Sequence, residues 1–491
     1  MSLKQKTLRG MAWSFIDSFA NQGFNFVVGV ILARLLSPAE FGLVGMLVIF
    51  IAVSQSVIDS GFGRALIRKK NCTFEDCCTV FYYNLAVGIV IYAVLFFAAP
   101  AISLFFDKPQ LKLMLQVLGI NVIIGSVGAI QRILLIKKMN FKLQTKISVA
   151  ATLVSGAVSI GMALSGWGVW SLVFRSLIQT CCTSVLFWRW NPWRPRRVFS
   201  AASFKELFGF GWKLMVSGLI DTTYNNVYGL IIGKFFSATE LGYYSRAQSY
   251  SMLPSQLLTE VVQRVSYPAL STVQENRQRL KAAYRKLIKG TMLISFVVML
   301  GVAAAAPSLV VFLIGEKWLP SVGYLQLLCF IAMLHPLHAL NLNMLNVNGR
   351  SDLFLRLEII KKLLVIPTIV IGIRGGMIVL LSGMIVNSIL AYFLNSFWSG
   401  RMVGYPVQEQ LADILPLFGI AAATGMAVYS AGLILSAQPA PAILVAQSLS
   451  GAAVFGMLMN VVKVDAFMEM KTLIKGKLFA ARQGGIQHGE V

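Results

Sequence analysis

The chain has 491 residues, 57% of them hydrophobic and only 13% charged, and 43 Lys and Arg against 19 Asp and Glu leave a net charge of +24. This balance lies far from the average of soluble domains, excludes an ordinary water-soluble fold, and fits an all-α polytopic membrane protein. A membrane span needs about 20 mostly apolar residues. Fourteen segments qualify: 11–33, 41–63, 79–100, 113–135, 147–166, 168–188, 209–233, 241–263, 290–314, 320–345, 358–373, 376–398, 412–434 and 440–462.

The first span follows Lys4, Lys6 and Arg9, but Asp17, Asn21 and Gln22 interrupt its apolar run, so no cleavable signal peptide is expected. Asp17, Asn21 and Asn25 are spaced i, i+4, i+8 and share one helical face. The second span ends in Asp59 and Arg64. Cys72, Cys77 and Cys78 follow; no histidine lies nearby and the spacing matches no zinc pattern, so free thiols and no metal are expected. The sixth span carries Arg175 with no acidic neighbour in its own segment, which favours a place lining a cavity. A polar, proline-bearing stretch, 189–197, then reads as a linker at the headgroups, with Trp190 and Trp193 as interfacial anchors.

After the linker the chain repeats itself. At a constant offset of 200, Asn25, Val27, Gly29, Ile31, Ser37, Glu40 and Gly42 recur as Asn225, Val227, Gly229, Ile231, Ser237, Glu240 and Gly242. Arg34 becomes Lys234, and Gly10 and Trp13 are echoed by Gly209 and Trp212. Internal duplication in a membrane protein is a signature of transporters built from two halves. Six spans per half is an even number, so both halves enter the membrane in the same sense, as a parallel repeat. The expected organisation is a six-helix lobe over 1–190, a cytoplasmic linker over 191–206, a second six-helix lobe over 207–400, helices 13 and 14 over 401–463, and a tail over 464–491.

The seventh span carries Lys213, Ser217, Asp221 and Asn225 at the spacing of the first, so matching positions of the two halves both bear polar stripes. Two facing stripes imply a hydrated central cavity; the alternative is a hydrogen-bonded seam that glues helices together. The eighth span bears Arg246, Glu260 and Arg264, and Arg264 sits 200 residues from Arg64. Both of these either line a cytoplasmic mouth or anchor the protein at the positive-inside face, while Arg246 either lines the cavity or snorkels to the interface. His335 and His338 flank Pro336 in the tenth span, which reads as a proton relay or as a kinked core helix.

With the N-terminus inside, 34 of the 43 basic residues fall in cytoplasmic segments, six fall outside, and Arg175, Lys213 and Arg246 remain within spans. Such a split places both termini in the cytoplasm and makes the basic charge an orientation device rather than a nucleic-acid surface. The loops are too short for a catalytic domain, and neither G-x-x-x-x-G-K-[ST] nor H-E-x-x-H occurs, so no catalytic residue and no cofactor is expected. Buried guanidinium and ammonium groups suit phosphate or acidic sugars. The carboxylates suit a proton or Na⁺, or neutralise the basic groups.

The chain also resembles a known family. The stretches that carry the likeness are Ser2-Leu-Lys-x-Lys-Thr-x-x-Gly10 with Trp13, Ala33-Arg-Leu-Leu-x-Pro-x-x-Phe-Gly42, Leu241-Gly-Tyr-Tyr-Ser-Arg-Ala247, Tyr267-Pro-Ala-Leu-Ser271, Gly315-Glu-Lys-Trp318, Leu325-Gln-Leu-Leu-Cys329 and Gly349-Arg-Ser-Asp352. In this order they resemble the polysaccharide-transport, Wzx-type flippases of the multidrug/oligosaccharidyl-lipid/polysaccharide exporter superfamily, nearest the branch that includes the colanic acid exporter. Arg246 belongs to the family's motif; Arg175 departs from the small or polar residue the family places there.

The resemblance implies export of a lipid-linked oligosaccharide on a polyprenyl diphosphate across the bacterial inner membrane, by alternating access, for polysaccharide or lipopolysaccharide biosynthesis. Arg175, Lys213, Arg246, Asn25, Asn225, Arg64 and Arg264 would then hold the substrate. Asp17, Asp221, Asp59 and Glu260 would couple to H⁺ or Na⁺. Polysaccharide-assembly proteins and the bilayer are the expected partners, with no nucleic acid. The main rival is a cation-coupled multidrug exporter of the same superfamily; an enzyme such as a polymerase would need larger loops, and a scaffold would leave the polar stripes unexplained.

Overall fold

A computed structural model describes residues 3–58 and 61–462. Its helices are α1 (Leu3–Leu35), α2 (Pro38–Ile58), α3 (Phe62–Arg68), α4 (Phe74–Phe105), α5 (Gln110–Lys137), α6 (Phe141–Leu164), α7 (Trp170–Trp190), α8 (Ala201–Phe235), α9 (Ala238–Ser271), α10 (Arg277–Ile314), α11 (Ser321–Ala332), α12 (His335–Val347), α13 (Ser351–Gly375), α14 (Met377–Val403), α15 (Val407–Ile434) and α16 (Ala440–Val462). The short α3 continues the path of α2, and α12 that of α11, so the fourteen predicted spans each find a helix. The protein is an all-α, multi-pass membrane protein.

Ten of these helical segments are long and apolar enough to cross a bilayer by length and composition; α1, α8, α9 and α13 are not among them. Those four carry Asp17, Lys213, Asp221, Arg246, Glu260, Arg264, Glu358, Lys361 and Lys362. Hydrocarbon cannot satisfy such groups, so their polar faces must meet protein or water.

The duplicated Ser-x-x-Glu has a local cause. Ser37 N–H donates to Glu40 Oε2 (2.7 Å) and Glu40 N–H to Ser37 Oγ (3.4 Å), a capping box that opens α2. Glu240 N–H likewise donates to Ser237 Oγ (3.0 Å) at the start of α9. Thr73 and Asp76 form a third box at α4. The break between α11 and α12 leaves helix carbonyls open; Ser255 Oγ donates to Ala332 O (2.7 Å) and Ser295 Oγ to Met333 O (2.8 Å), which satisfies two of them from neighbouring helices.

The chain forms two compact units, residues 1–245 and 246–491. In the first, α4 packs on α5, α5 on α7, α7 on α6 and α6 on α1, while α2 lies against α5 and α8. Phe62, Leu66, Phe81, Ile130, Leu134 and Leu207 make a buried cluster that ties α3, α4, α5 and α8 together at one end. In the second, α10 packs on α11, α15 and α16, and α14 on α11, α12 and α13.

The stretch after α7, read as a linker at the headgroups, also packs against its neighbours. It is strapped to the first unit: Gln131 Nε2 donates to Trp193 O (3.1 Å), Arg196 N–H to Cys78 Sγ (3.4 Å) and Ser200 N–H to Thr79 Oγ1 (3.0 Å). Trp193 is half-buried against Phe74 and Phe81, whereas Trp190 is exposed.

Candidate functional site

The polar stripe of α1 is met residue by residue by α6 and α7. Asp17 Oδ1 accepts from Asn21 Nδ2 (2.7 Å) and from Ser148 Oγ (2.6 Å). Asn21 Nδ2 also donates to Ser148 Oγ (2.8 Å), and Asn21 Oδ1 accepts from Thr152 Oγ1 (3.1 Å). Gln179 Nε2 reaches Thr152 Oγ1 (3.4 Å), and one level along α1, Arg175 Nη2 donates to Asn25 Oδ1 (2.7 Å). Ser148 and Thr152 are i, i+4 on α6, the same spacing as the residues they face, which is why the ladder closes. Asp17, Asn25 and Arg175 thus belong to one half-buried seam within the first unit. A carboxylate held by two neutral donors is an acceptor that can take a proton or a monovalent cation.

The matching stripe on α8 is used differently. Lys213, Ser217, Asp221 and Asn225 are all exposed. Elsewhere on α8, Leu207, Gly211, Ile232 and Gly233 are buried. Small residues let α8 approach α2 along its length: a Cβ on Gly218 would lie 3.3 Å from Ser56 Oγ, and one on Gly233 2.8 Å from Met46 Cγ.

Two crossings bound this contact. At one, a Cβ on Gly42 would lie 2.9 Å from Ala238 Cα and overlap its carbonyl, and a Cβ on Gly242 would lie 2.7 Å from the carbonyl carbon of Pro38. The repeated helix starts therefore touch each other reciprocally, each through the other's glycine. At the second crossing a Cβ on Gly61 would lie 2.6 Å from Gly211 Cα. Arg64 is three residues past Gly61 and Lys213 two past Gly211, and both are exposed. Two of the predicted substrate cations thus lie within roughly one helical turn, about 5.4 Å, of a shared backbone contact. Around them Arg68 stacks over the Phe210 ring at 4.5 Å, and Lys69 bridges Asp76 (3.0 Å) and Glu206 (2.9 Å).

In the second unit, Arg264 pairs with Glu260 at 3.5 Å one turn back on α9, and Arg246 is half-buried on the same helix. Asp59 lies outside the described residues. His338 is held by Ser388 Oγ (3.2 Å) and Asn395 Nδ2 (3.4 Å), beside a buried network in which Asn341 joins Tyr284, Ser396 and Ser399. These neutral partners fit the kinked-core-helix reading for His338, while His335 is exposed.

One cluster escaped sequence reasoning. Lys281 and Arg285, counted there as loop charges, clamp α15: Lys281 Nζ lies 2.7 Å from Glu409 Oε2, Arg285 Nε 2.5 Å from Asp413 Oδ2, and Tyr405 Oη donates to Asp413 at 2.6 Å. Its signal was present, since Lys281, Arg285 and Lys289 run i, i+4, i+8 and Glu409 and Asp413 run i, i+4. Among the described residues no three His, Cys, Asp or Glu gather as a metal site. The cysteines are free, with Cys72 Sγ 3.5 Å from Cys77 Sγ.

Residues 31–323 match the family described as polysaccharide biosynthesis protein. Among curated proteins, the lipopolysaccharide biosynthesis protein WzxC of Escherichia coli (strain K12) is 25% identical over 445 residues, 89% of this chain and 90% of that protein. The teichuronic acid biosynthesis protein TuaB of Bacillus subtilis (strain 168) is 25% identical over 355 residues, 72% of this chain and 73% of its own. Among solved structures, the lipid II flippase MurJ in an inward closed conformation superposes with a TM-score of 0.76 at 13% identity, over 93% of this chain and all of that one. A multidrug resistance MATE family transporter in its inward-facing conformation gives 0.59 at 16%, over 78% and 95%. Identities this low show a common fold.

Proposed function

Because the chain belongs to the polysaccharide biosynthesis protein family, we propose that it carries a lipid-linked oligosaccharide on a polyprenyl diphosphate across the bacterial inner membrane, opening a charged aqueous path first to the cytoplasm and then to the far side. The observation that carries this reading is the exposed stripe Lys213, Ser217, Asp221 and Asn225 on α8. It spans about 18 Å of helix, in a bilayer whose hydrocarbon is about 30 Å thick. Each sugar hydroxyl moved unpaired into hydrocarbon costs ~4–8 kcal/mol, so a glycan headgroup needs such a wet, hydrogen-bonding wall. Its polyprenyl tail does not and stays in lipid.

The residues sort by chemistry. Lys213 and Arg64, flanking one crossing, are the diphosphate ligands in this reading, since phosphate oxygens favour charge-assisted hydrogen bonds. Asn225 meets sugar hydroxyls, and Arg175, Asn25, Arg246 and Arg264 serve acidic sugars. Asp17 takes the coupling H⁺ or Na⁺ with Asn21 and Ser148 as its supports; Asp221, Asp59 and Glu260 are the further coupling carboxylates. The charge count puts both termini in the cytoplasm, where polysaccharide-assembly proteins would deliver the substrate. The work is transport, with no bond made or broken by the protein.

The test is reconstitution in vesicles with a labelled polyprenyl diphosphate oligosaccharide, scored by its arrival on the opposite leaflet. Lys213→Ala and Arg246→Ala are expected to abolish transfer. Wild-type rates in both variants refute the residue roles, and a wild-type protein that moves a cationic drug but no glycan lipid refutes the substrate.

A further inference from the structure

Inside the first unit, α2, α5 and α7 enclose a cavity of about 290 Å³ that none of the residues discussed above lines except Gln179. Its wall is mixed, with Gln55 on α2, Arg132 on α5, and Gln179, Thr180 and Thr183 on α7 as polar groups beside the ring of Phe187. Glycine makes the room. A Cβ at Gly125 would come 3.3 Å from Gln55 Oε1, and one at Gly128 only 2.6 Å from Ser184 Oγ, so α5 presents bare backbone to the space.

The donors and acceptors in this wall are incompletely used. Thr180 and Thr183 spend their hydroxyl hydrogens on the carbonyls of Ser176 (3.0 Å) and Gln179 (2.7 Å), which leaves their oxygens as acceptors. Gln55 makes no side-chain hydrogen bond among the described residues. An amide left so in a membrane-embedded helix must be met by water or by a ligand that brings its own hydroxyls. Among the described residues no carboxylate lines the cavity, and its charged group is the Arg132 guanidinium, a lining that favours a neutral or anionic guest over a cation.

We infer that this cavity is a sugar subsite, taking one neutral or acidic ring of the transported glycan, with amide and threonine groups on its hydroxyls and Phe187 against its C–H face. The inference rests on the flippase reading above and adds where a sugar is recognised. The volume supports one ring: it sits at the lower edge of ligand pockets, near ~300 Å³, too small for an oligosaccharide. The position selects a ring beyond the first. Ser56, next to Gln55, meets α8 at Gly218, five residues from Lys213, which is about 7–8 Å along that helix. A diphosphate at Lys213 and Arg64 therefore leaves its attached sugar near the crossing and offers a later one to the cavity.

The test compares two substrates in vesicles: the polyprenyl diphosphate-linked repeat unit extracted from producing cells, and the same carrier bearing only its first sugar. Thr183→Trp fills the cavity, and Gln55→Leu removes the amide at nearly constant volume. Transfer of the full unit is expected to fall about tenfold or more, the effect of losing one or two hydrogen bonds, with the single-sugar carrier within about twofold of wild type. Equal losses on both carriers with Gln55→Leu, or no loss on either, overturn the subsite while leaving the flippase reading standing. A wild-type protein that moves neither carrier overturns both. Gln55→Leu decides the matter if Thr183→Trp does not fold.

Discussion

The reciprocal contact between the two repeated helix starts makes a quantitative prediction. Gly42→Ala places a methyl 2.9 Å from Ala238 Cα, and Gly242→Ala places one 2.7 Å from the carbonyl carbon of Pro38. Carbon atoms prefer about 3.5–4.0 Å, so either substitution forces α2 and the start of α9 apart by at least about 1 Å. The neighbour in each case is backbone, which cannot swing away as a long side chain would. Overpacking of this kind costs about 1–3 kcal/mol, and the upper part of that range is expected. Once one methyl has separated the helices, the second finds the space already open, so the double variant is expected to cost clearly less than the sum of the singles. The assay is the thermal stability of the purified protein in detergent, wild type against both singles and the double. Each single is expected to lose a few degrees in apparent melting temperature. A Gly42→Ala protein as stable as wild type, or strictly additive losses, would refute the reasoning.

Further outcomes follow from the same geometry. Ser148→Ala removes a 2.6 Å donor from Asp17 and is expected to cost about 1–3 kcal/mol, while Asp17→Asn in the same background recovers part of that loss because it removes the under-satisfied charge; equal stability of Ser148→Ala and wild type counts against the seam. Hydrogen bonds to Glu206 and then to Asp76 raise the Lys69 ammonium above the ordinary lysine value. A raised pKa means the stabilisation is complete below the unfolded value of about 10.4 and is lost only as pH climbs past the folded one. Lys69→Met should therefore be less stable than wild type by a constant margin from pH 7 to pH 10, and a margin that vanishes by pH 9 would contradict this. The Cys72 thiol is pulled down to about 7, first by the hydrogen bond with Cys77, against burial and with help from the Lys137 charge. Alkylation of Cys72, followed by mass spectrometry, should reach half its limiting rate near that pH and shift upward in Cys77→Ala; an unchanged profile would remove Cys77 as the cause.

Fourteen spans and their order could be read from hydropathy, because a span is a local run of apolar residues; the repeated Ser-x-x-Glu reads only as a repeat, and its capping role came from the structure. The polar stripes on α1 and α8 could also be read, since a period of 3.6 sets which side chains share a face. What each stripe touches lay beyond that local code. Asp17 and Asn21 found Ser148 and Thr152 more than 100 residues away, while Lys213, Ser217, Asp221 and Asn225 of the sister stripe remained exposed. Trp193, Lys281 and Arg285, read from composition as interfacial or cytoplasmic groups, also have partners within the fold that composition could not name. A periodic pattern states that a face is polar or apolar; only the helix packed against it determines whether that face is sealed by hydrogen bonds or left exposed.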